Sequence, residues 1–212
     1  MKKILTALKY FFLALGLILL EQLPTAFITA NQPFWQSVLI TLALLVVAVF
    51  TVYVAKRVGL LNHLEELKTW QAWKTVLIGF VVLTVVEYIG KIILLLENGL
   101  GANTENQAAL EQLGMSPFLL IVLTVIAAPI VEETVMRGLI LGRTFNNSYF
   151  GVIISSLLFG LLHMPTNIGS WVIYGGMGMV FGIIYYKTQK LEYTIAIHFI
   201  NNALGVLLML LL

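Results

Sequence analysis

Two adjacent carboxylates, followed four residues later by a guanidinium, stand inside one of the most apolar stretches of this chain. The stretch reads "APIVEETVMRG" and covers residues 128–138. On an α-helix, residues four apart share a face, so Glu133 and Arg137 can pair. Glu132 points about 100° away from Glu133 and has no partner on its own helix. Either all three form one ion-pair network, or Glu132 faces a cavity, where desolvation makes it a stronger base.

Two further groups of polar residues follow in later apolar segments. Phe159 and His163 share a face in "FGLLH", and His198 and Asn202 share a face in "HFINN", where Asn201 points elsewhere. Ionisable residues inside a bilayer are costly and by default mark function. The alternatives are an interfacial histidine for the first group and hydrogen bonds that hold helices together for the second.

A fourth polar pair lies earlier in the chain. Glu87 precedes Lys91 by four residues, which is the favourable order for an ion pair on one helix. The pattern therefore predicts an internally neutralised pair with no role in chemistry.

The composition requires a membrane environment. The chain has 212 residues, of which 60% are hydrophobic and 10% are charged, whereas a soluble domain has about 25% charged residues. The net charge of +2 gives no sign of a nucleic-acid partner, and the absence of cysteine excludes disulfides and thiolate metal sites. These features predict a polytopic integral membrane protein.

Apolar runs near the ~20 residues that a span needs predict an all-α bundle of transmembrane helices. Seven runs occur, at residues 4–20, 34–55, 75–95, 117–142, 148–164, 169–187 and 193–212. We interpret the first as an uncleaved span rather than a signal peptide. The pattern leaves room for an eighth short or re-entrant segment. We expect a single membrane domain over 1–212, with a catalytic core at about 117–212 and a polar cavity near mid-membrane.

The three polar groups together, E-E-x-x-x-R, F-x-x-x-H and H-x-x-x-N, resemble the CPBP family. This family comprises CAAX-processing intramembrane endopeptidases and bacterial Abi or bacteriocin-immunity proteins. The resemblance covers the last ~95 residues, and this chain is shorter at its N-terminus than the family's eight-helix bundle. It implies a bacterial plasma-membrane protein that cleaves a membrane-anchored or prenylated peptide.

The resemblance also implies roles for individual residues. Four would be catalytic: Glu132, His163, His198 and Asn202. Three would support them: Glu133, Arg137 and Phe159. In this scheme the first carboxylate activates water with help from the first histidine, and the second histidine and the asparagine donate to the developing oxyanion.

Zinc is the alternative to metal-free chemistry. Two histidines and a glutamate with water can hold this ion, and the residues that could supply such a set are Glu132, Glu133, His163 and His198. The H-E-x-x-H motif is absent, and Asn202 is a poor zinc ligand but a good hydrogen-bond donor. Metal-free chemistry is therefore favoured.

Two other functions compete with proteolysis. A bacteriocin self-immunity or membrane scaffold protein could keep the same motifs as a structural network, although the complete set of four argues for catalysis. A small ion-coupled transporter could use the carboxylates as a proton relay. Transporters usually show repeat symmetry, whereas the polar motifs here lie in one half of the chain.

The distribution of basic residues predicts the orientation. With seven spans, all the connections that carry Lys or Arg fall on the same side of the membrane as the N-terminus. This side is therefore expected to be the cytoplasm. Reporter fusions should place residues near 62 and 189 in the cytoplasm, and residues near 105 and the C-terminus outside. A cytoplasmic C-terminal reporter would mean that one span was missed or added.

Overall fold

The computed structural model describes residues 2–211, and within these residues the chain forms eight helices and no strands. The helices are α1 Lys2–Thr25, α2 Phe34–Arg57, α3 Trp70–Asn98, α4 Glu105–Gln112, α5 Pro117–Thr144, α6 Tyr149–Leu162, α7 Ile168–Thr188 and α8 Leu191–Leu211. A short 3₁₀ segment, Leu64–Lys68, connects α2 to α3. The predicted all-α bundle is confirmed.

Six of these helices are long and apolar enough to cross a membrane, judged by length and composition: α1 from Ile4, α2, α3, α5, α7 and α8. The seventh predicted span forms α6, which has only 14 residues. It begins where the Ser148 hydroxyl accepts a hydrogen bond from the Gly151 amide, and it ends shortly before Pro165. The chain is thus an integral membrane helix bundle with six full-length helices and one short apolar helix.

The polar connection at 96–116, whose composition is typical of a loop, contains α4. Thr104 caps this helix by accepting a hydrogen bond from the Gln107 amide. A side-chain oxygen at this position satisfies a backbone donor that has no partner inside the helix. The polar composition of this segment did not predict a helix, because α4 has no buried residue and therefore no apolar face.

Helix α5 is not a regular α-helix. Its turns at Ile121–Ala127 and Thr134–Thr144 are π-helical and flank the α-helical stretch Ala128–Glu133. Pro129 lies two residues after the first widened segment. Proline has no N–H to donate and its ring crowds the carbonyl four residues earlier, which a wider turn relieves. The uniform 100° step used to place the two glutamates therefore does not hold along the whole helix.

Small residues allow close contact between α3, α6 and α7. A Cβ added to Gly169 of α7 would lie 2.5 Å from the Leu94 amide nitrogen of α3, and one on Gly178 would lie 2.9 Å from the Ser156 Cα of α6. Both positions leave no space for a side chain. In a bilayer such contacts bring helix backbones together without help from the hydrophobic effect.

The basic connections meet at one end of the bundle. An Arg143 guanidinium nitrogen donates to the Val58 carbonyl at 2.7 Å, and the Lys190 ammonium pairs with Glu66 on the 3₁₀ segment. The hydrogen bond from Lys190 lowers the pKa of the Glu66 carboxyl. The side of the membrane that this end faces stays a prediction.

Candidate active site

A fully buried ion pair occupies the centre of the site. Arg137 and Glu133 are both 0% exposed, and the arginine Nε lies 3.2 Å from a glutamate carboxylate oxygen. The guanidinium also donates to the Gly178 carbonyl at 3.2 Å. Its carbon lies 4.6 Å from the Phe159 ring centroid and 5.3 Å from that of Phe181. The charge is therefore neutralised by α5 and enclosed by aromatic faces from α6 and α7.

His198 of α8 joins this ion pair. Its Nδ1 lies 3.2 Å from the second oxygen of Glu133, and its side chain is 2% exposed. The imidazole stacks on Phe181, with ring centroids 5.1 Å apart, and meets the edge of Phe159. One carboxylate oxygen of Glu133 is thus paired with Arg137, and the other is paired with His198.

Glu132 occupies a different environment from its neighbour. It is only half-buried, and one of its oxygens is buried without a hydrogen-bond partner among the described residues. The two adjacent acids therefore differ in environment, and the catalytic role expected for Glu132 stays a prediction.

His163 stands at the end of α6. Its Nδ1 lies 2.8 Å from the Phe159 carbonyl, and its ring stacks on Tyr174 with centroids 4.3 Å apart. Sequence reasoning missed Tyr174, which lies in a stretch of glycine and apolar residues. The Tyr174 hydroxyl is held 2.9 Å from Thr104 at the start of α4. Tyr174 therefore contacts His163, while Phe159 contacts both histidines.

The two asparagines of α8 face different helices. Asn202 donates through Nδ2 to the Thr124 carbonyl in the first π-helical segment at 2.8 Å, and Asn201 donates to Glu87 of α3 at 2.8 Å. The predicted Glu87–Lys91 pair is wrong. Within the described residues, Lys91 makes no ion pair with Glu87, and its ammonium lies 5.9 Å from the Tyr88 ring centroid. Sequence reasoning could not identify the competing hydrogen-bond donor, Asn201, because it lies 114 positions away from Glu87.

A further acid reaches the site from α1. The fully buried side chains of this helix's described part are Ala14, Leu17 and Glu21, which form one stripe facing the bundle. Glu21 is 3% exposed, and α1 packs against the Ala128–Glu133 stretch of α5. An acid one turn before a helix end is typical of a membrane boundary, so the sequence alone does not single it out.

The set of residues that could hold zinc is not assembled. In the part of the chain that the structure describes, no group of three or more histidine and acidic side chains is arranged to hold a metal ion. Glu133 is occupied by Arg137 and His198, and the Nδ1 atom of His163 is occupied by a carbonyl. The four candidate ligands, as the structure places them, do not fit a zinc ion.

The different environments of the two glutamates give a stability prediction. Glu133→Gln leaves Arg137 buried without its counter-ion, and such a break costs about 3–5 kcal/mol. We expect this variant to accumulate poorly and to melt earlier in detergent, whereas Glu132→Gln should melt like the wild type. Equal loss of protein for both variants would contradict the division of roles.

A protein-family model matches the C-terminal half of the chain. The family model for type II CAAX prenyl endopeptidases, Rce1-like, matches residues 114–204. That segment contains every residue of the three motifs. No solved structure matches the chain significantly.

Curated relatives come from three bacteria. The chain is 31% identical to the UPF0177 protein YvdC of Lactococcus lactis over 139 residues, covering 65% of this chain and 53% of that protein. It is 30% identical to YdiL of Bacillus subtilis, provisionally named a membrane peptidase, over 53% and 46% of the two chains. It is 36% identical to the membrane-embedded CAAX protease MroQ of Staphylococcus aureus, over 41% and 37%.

The matched region thus spans about half or less of the length of these relatives. Over residues 114–204 the chain is similar to the Rce1-like type II CAAX prenyl endopeptidases, which confirms the resemblance predicted from the three motifs.

Proposed function

We propose that this protein is an intramembrane endopeptidase that hydrolyses a peptide bond in a membrane-anchored substrate. The family description and the name of the relative MroQ make prenylated, CAAX-like peptides the first substrate class to consider. The proposal includes the four catalytic residues expected from the sequence: Glu132, His163, His198 and Asn202.

The observation that carries the proposal is the contrast between the two adjacent glutamates. One carboxylate oxygen of Glu133 is ion-paired with Arg137 and the other with His198, whereas Glu132 keeps a buried oxygen that has neither an ion pair nor a hydrogen bond among the described residues. Leaving such an atom unpaired costs about 1–3 kcal/mol or more. A water molecule held there would satisfy this oxygen and would be placed for attack on a carbonyl.

His163 can assist this water through one ring nitrogen. A carbonyl oxygen only accepts hydrogen bonds, so the contact with Phe159 requires the proton on Nδ1. In the neutral ring, Nε2 then carries a lone pair that can accept a hydrogen bond or a proton. Glu132 and His163 therefore form the basic side of the proposed reaction, with Tyr174 stacked on His163.

The oxyanion would be stabilised from α8. The Asn202 amide has two N–H groups, of which one can satisfy the Thr124 carbonyl while the other remains for the substrate. His198 has its Nδ1 against a carboxylate, which requires a proton there. Its Nε2 can donate only when the ring is doubly protonated, so Asn202 is the donor that needs no change of charge.

Cleavage of prenylated peptides in proteoliposomes tests the proposal. Glu132→Gln should lower kcat by at least about 10²-fold, as is typical when a general base is removed. Glu105→Gln is the matched control because Glu105 is an exposed acid on α4, and it should cleave at the wild-type rate. Full activity of Glu132→Gln would contradict the mechanism. No cleavage by the wild type of prenylated or unprenylated peptides would contradict the activity.

The role of Asn202 has a separate kinetic test. Removing one oxyanion donor typically lowers turnover by about 10²–10³-fold with little change in substrate affinity. We expect this loss in kcat for Asn202→Ala, with KM within a few-fold. Asn103→Ala, at an exposed position before α4, is the control. Wild-type kcat for Asn202→Ala would mean that this residue only joins α8 to α5.

A further inference from the structure

The contact between Glu87 and Asn201 joins the site to a helix outside the matched segment. Glu87 is half-buried on α3, and its carboxylate accepts the Asn201 Nδ2 hydrogen bond at 2.8 Å. Neither residue has a role in the mechanism above. Their hydrogen bond nevertheless lies between α3 and the helix that carries two of the four proposed catalytic groups.

The contact is important because Asn201 lies on α8 next to two proposed catalytic residues. It directly precedes Asn202 and follows His198 by three residues on α8. Asn202 bonds the Thr124 carbonyl and His198 bonds Glu133, so both of these contacts reach α5. The Glu87 contact is the corresponding attachment to α3. Helix α8 is thus held by polar contacts on two sides within two turns.

The first turn of α8 is also held, because Glu192 accepts a hydrogen bond from the His63 amide at 2.7 Å and the Tyr193 hydroxyl donates to Glu66 at 3.1 Å. Beyond that turn, the packing of α8 is mostly apolar. Its exposed apolar residues would face lipid in a bilayer: Phe199, Leu204, Leu207, Leu208, Leu210 and Leu211. Lipid is as apolar as leucine, so the hydrophobic effect does not select which face of this helix turns inward. Its packing against α3 includes Ile197, whose side chain lies against Gly79. A smooth glycine surface allows close approach but does not define an angle.

We propose that Glu87 is a positioning residue, which acts through Asn201 to set the rotation of α8 and thereby the direction of His198 and Asn202. Its effect on cleavage rests on the proposed function. Its effect on the orientation of the helix does not.

Only the ability of Glu87 to accept a hydrogen bond is needed for this role. Glutamine keeps the acceptor oxygen and the length of the side chain, so Glu87→Gln should preserve the contact. Glu87→Ala and Asn201→Ala each remove it. A role as counter-ion for Lys91 makes the opposite prediction, because glutamine would then fail and Lys91→Ala would matter.

The kinetic test compares these variants in the cleavage assay. We expect Glu87→Ala and Asn201→Ala each to lower kcat by about 10- to 100-fold, because small misplacements of catalytic groups have effects of this size. KM should stay within a few-fold. The double variant should be no worse than either single one, since both remove the same contact. Glu87→Gln and Lys91→Ala should behave like the wild type.

A second measurement does not need proteolysis. The chain has no natural cysteine, so spin labels can be attached to cysteines introduced at Ile78 of α3 and Leu207 of α8, which are 56% and 51% exposed. We expect the distance distribution between the labels to shift or broaden in Glu87→Ala and to stay unchanged in Glu87→Gln.

The two measurements separate the two proposals. An unchanged distance in Glu87→Ala, or loss of kcat in Glu87→Gln as large as in Glu87→Ala, would overturn the positioning role. A shifted distance in a protein that cleaves none of the tested peptides would support the positioning of α8 and contradict the proposed peptidase activity.

Discussion

The buried charge of Arg137 is the constraint on which the rest of the site depends. A guanidinium keeps its proton in proteins, and its removal from water without a partner costs several kcal/mol. Three elements share the task of compensating it: Glu133 from its own helix, the Gly178 carbonyl from α7, and the ring faces of Phe159 and Phe181. One buried cation thus holds both α6 and α7 against α5.

The same charge determines which groups remain free for chemistry. Glu133 neutralises Arg137 and orients His198, so it has no oxygen left for a substrate. Glu132 precedes Glu133 by one position and makes no ion pair with this network among the described residues. Because helices in lipid are joined by packing and polar contacts rather than by the hydrophobic effect, the residues that hold this bundle together and the residues proposed to act on a substrate lie side by side.

The sequence predicts contacts well where partners are close along the chain. The pairing of Glu133 with Arg137 and the separate environment of Glu132 follow from helical spacing, even though π-helical turns around Pro129 alter the regular geometry. The helical class and six of the seven spans follow from apolar run length. The same spacing rule failed for Glu87, because it considers only partners on one helix.

Contacts between distant segments explain the other misses. Tyr174 and Glu21 carry no local signal, since a tyrosine among glycines and an acid near a helix end are both common at membrane boundaries. Their importance comes from what α4, α5 and α6 bring beside them. No periodicity encodes such pairings, because they depend on the order and tilt in which the helices pack.

The segment that matches the family therefore does not contain the whole site. Residues 114–204 supply the ion pair, both histidines and Asn202, whereas α3 supplies Glu87 and α1 supplies Glu21. Helix α3 thus places Glu87 against Asn201 of the matched segment, and α1 carries a buried acid and packs against the stretch of α5 that contains Glu132. Changes in α1 or α3 can alter the electrostatic surroundings of the site while every motif residue stays the same. Chains that share the three motifs can for this reason differ in activity through helices that the motifs do not include.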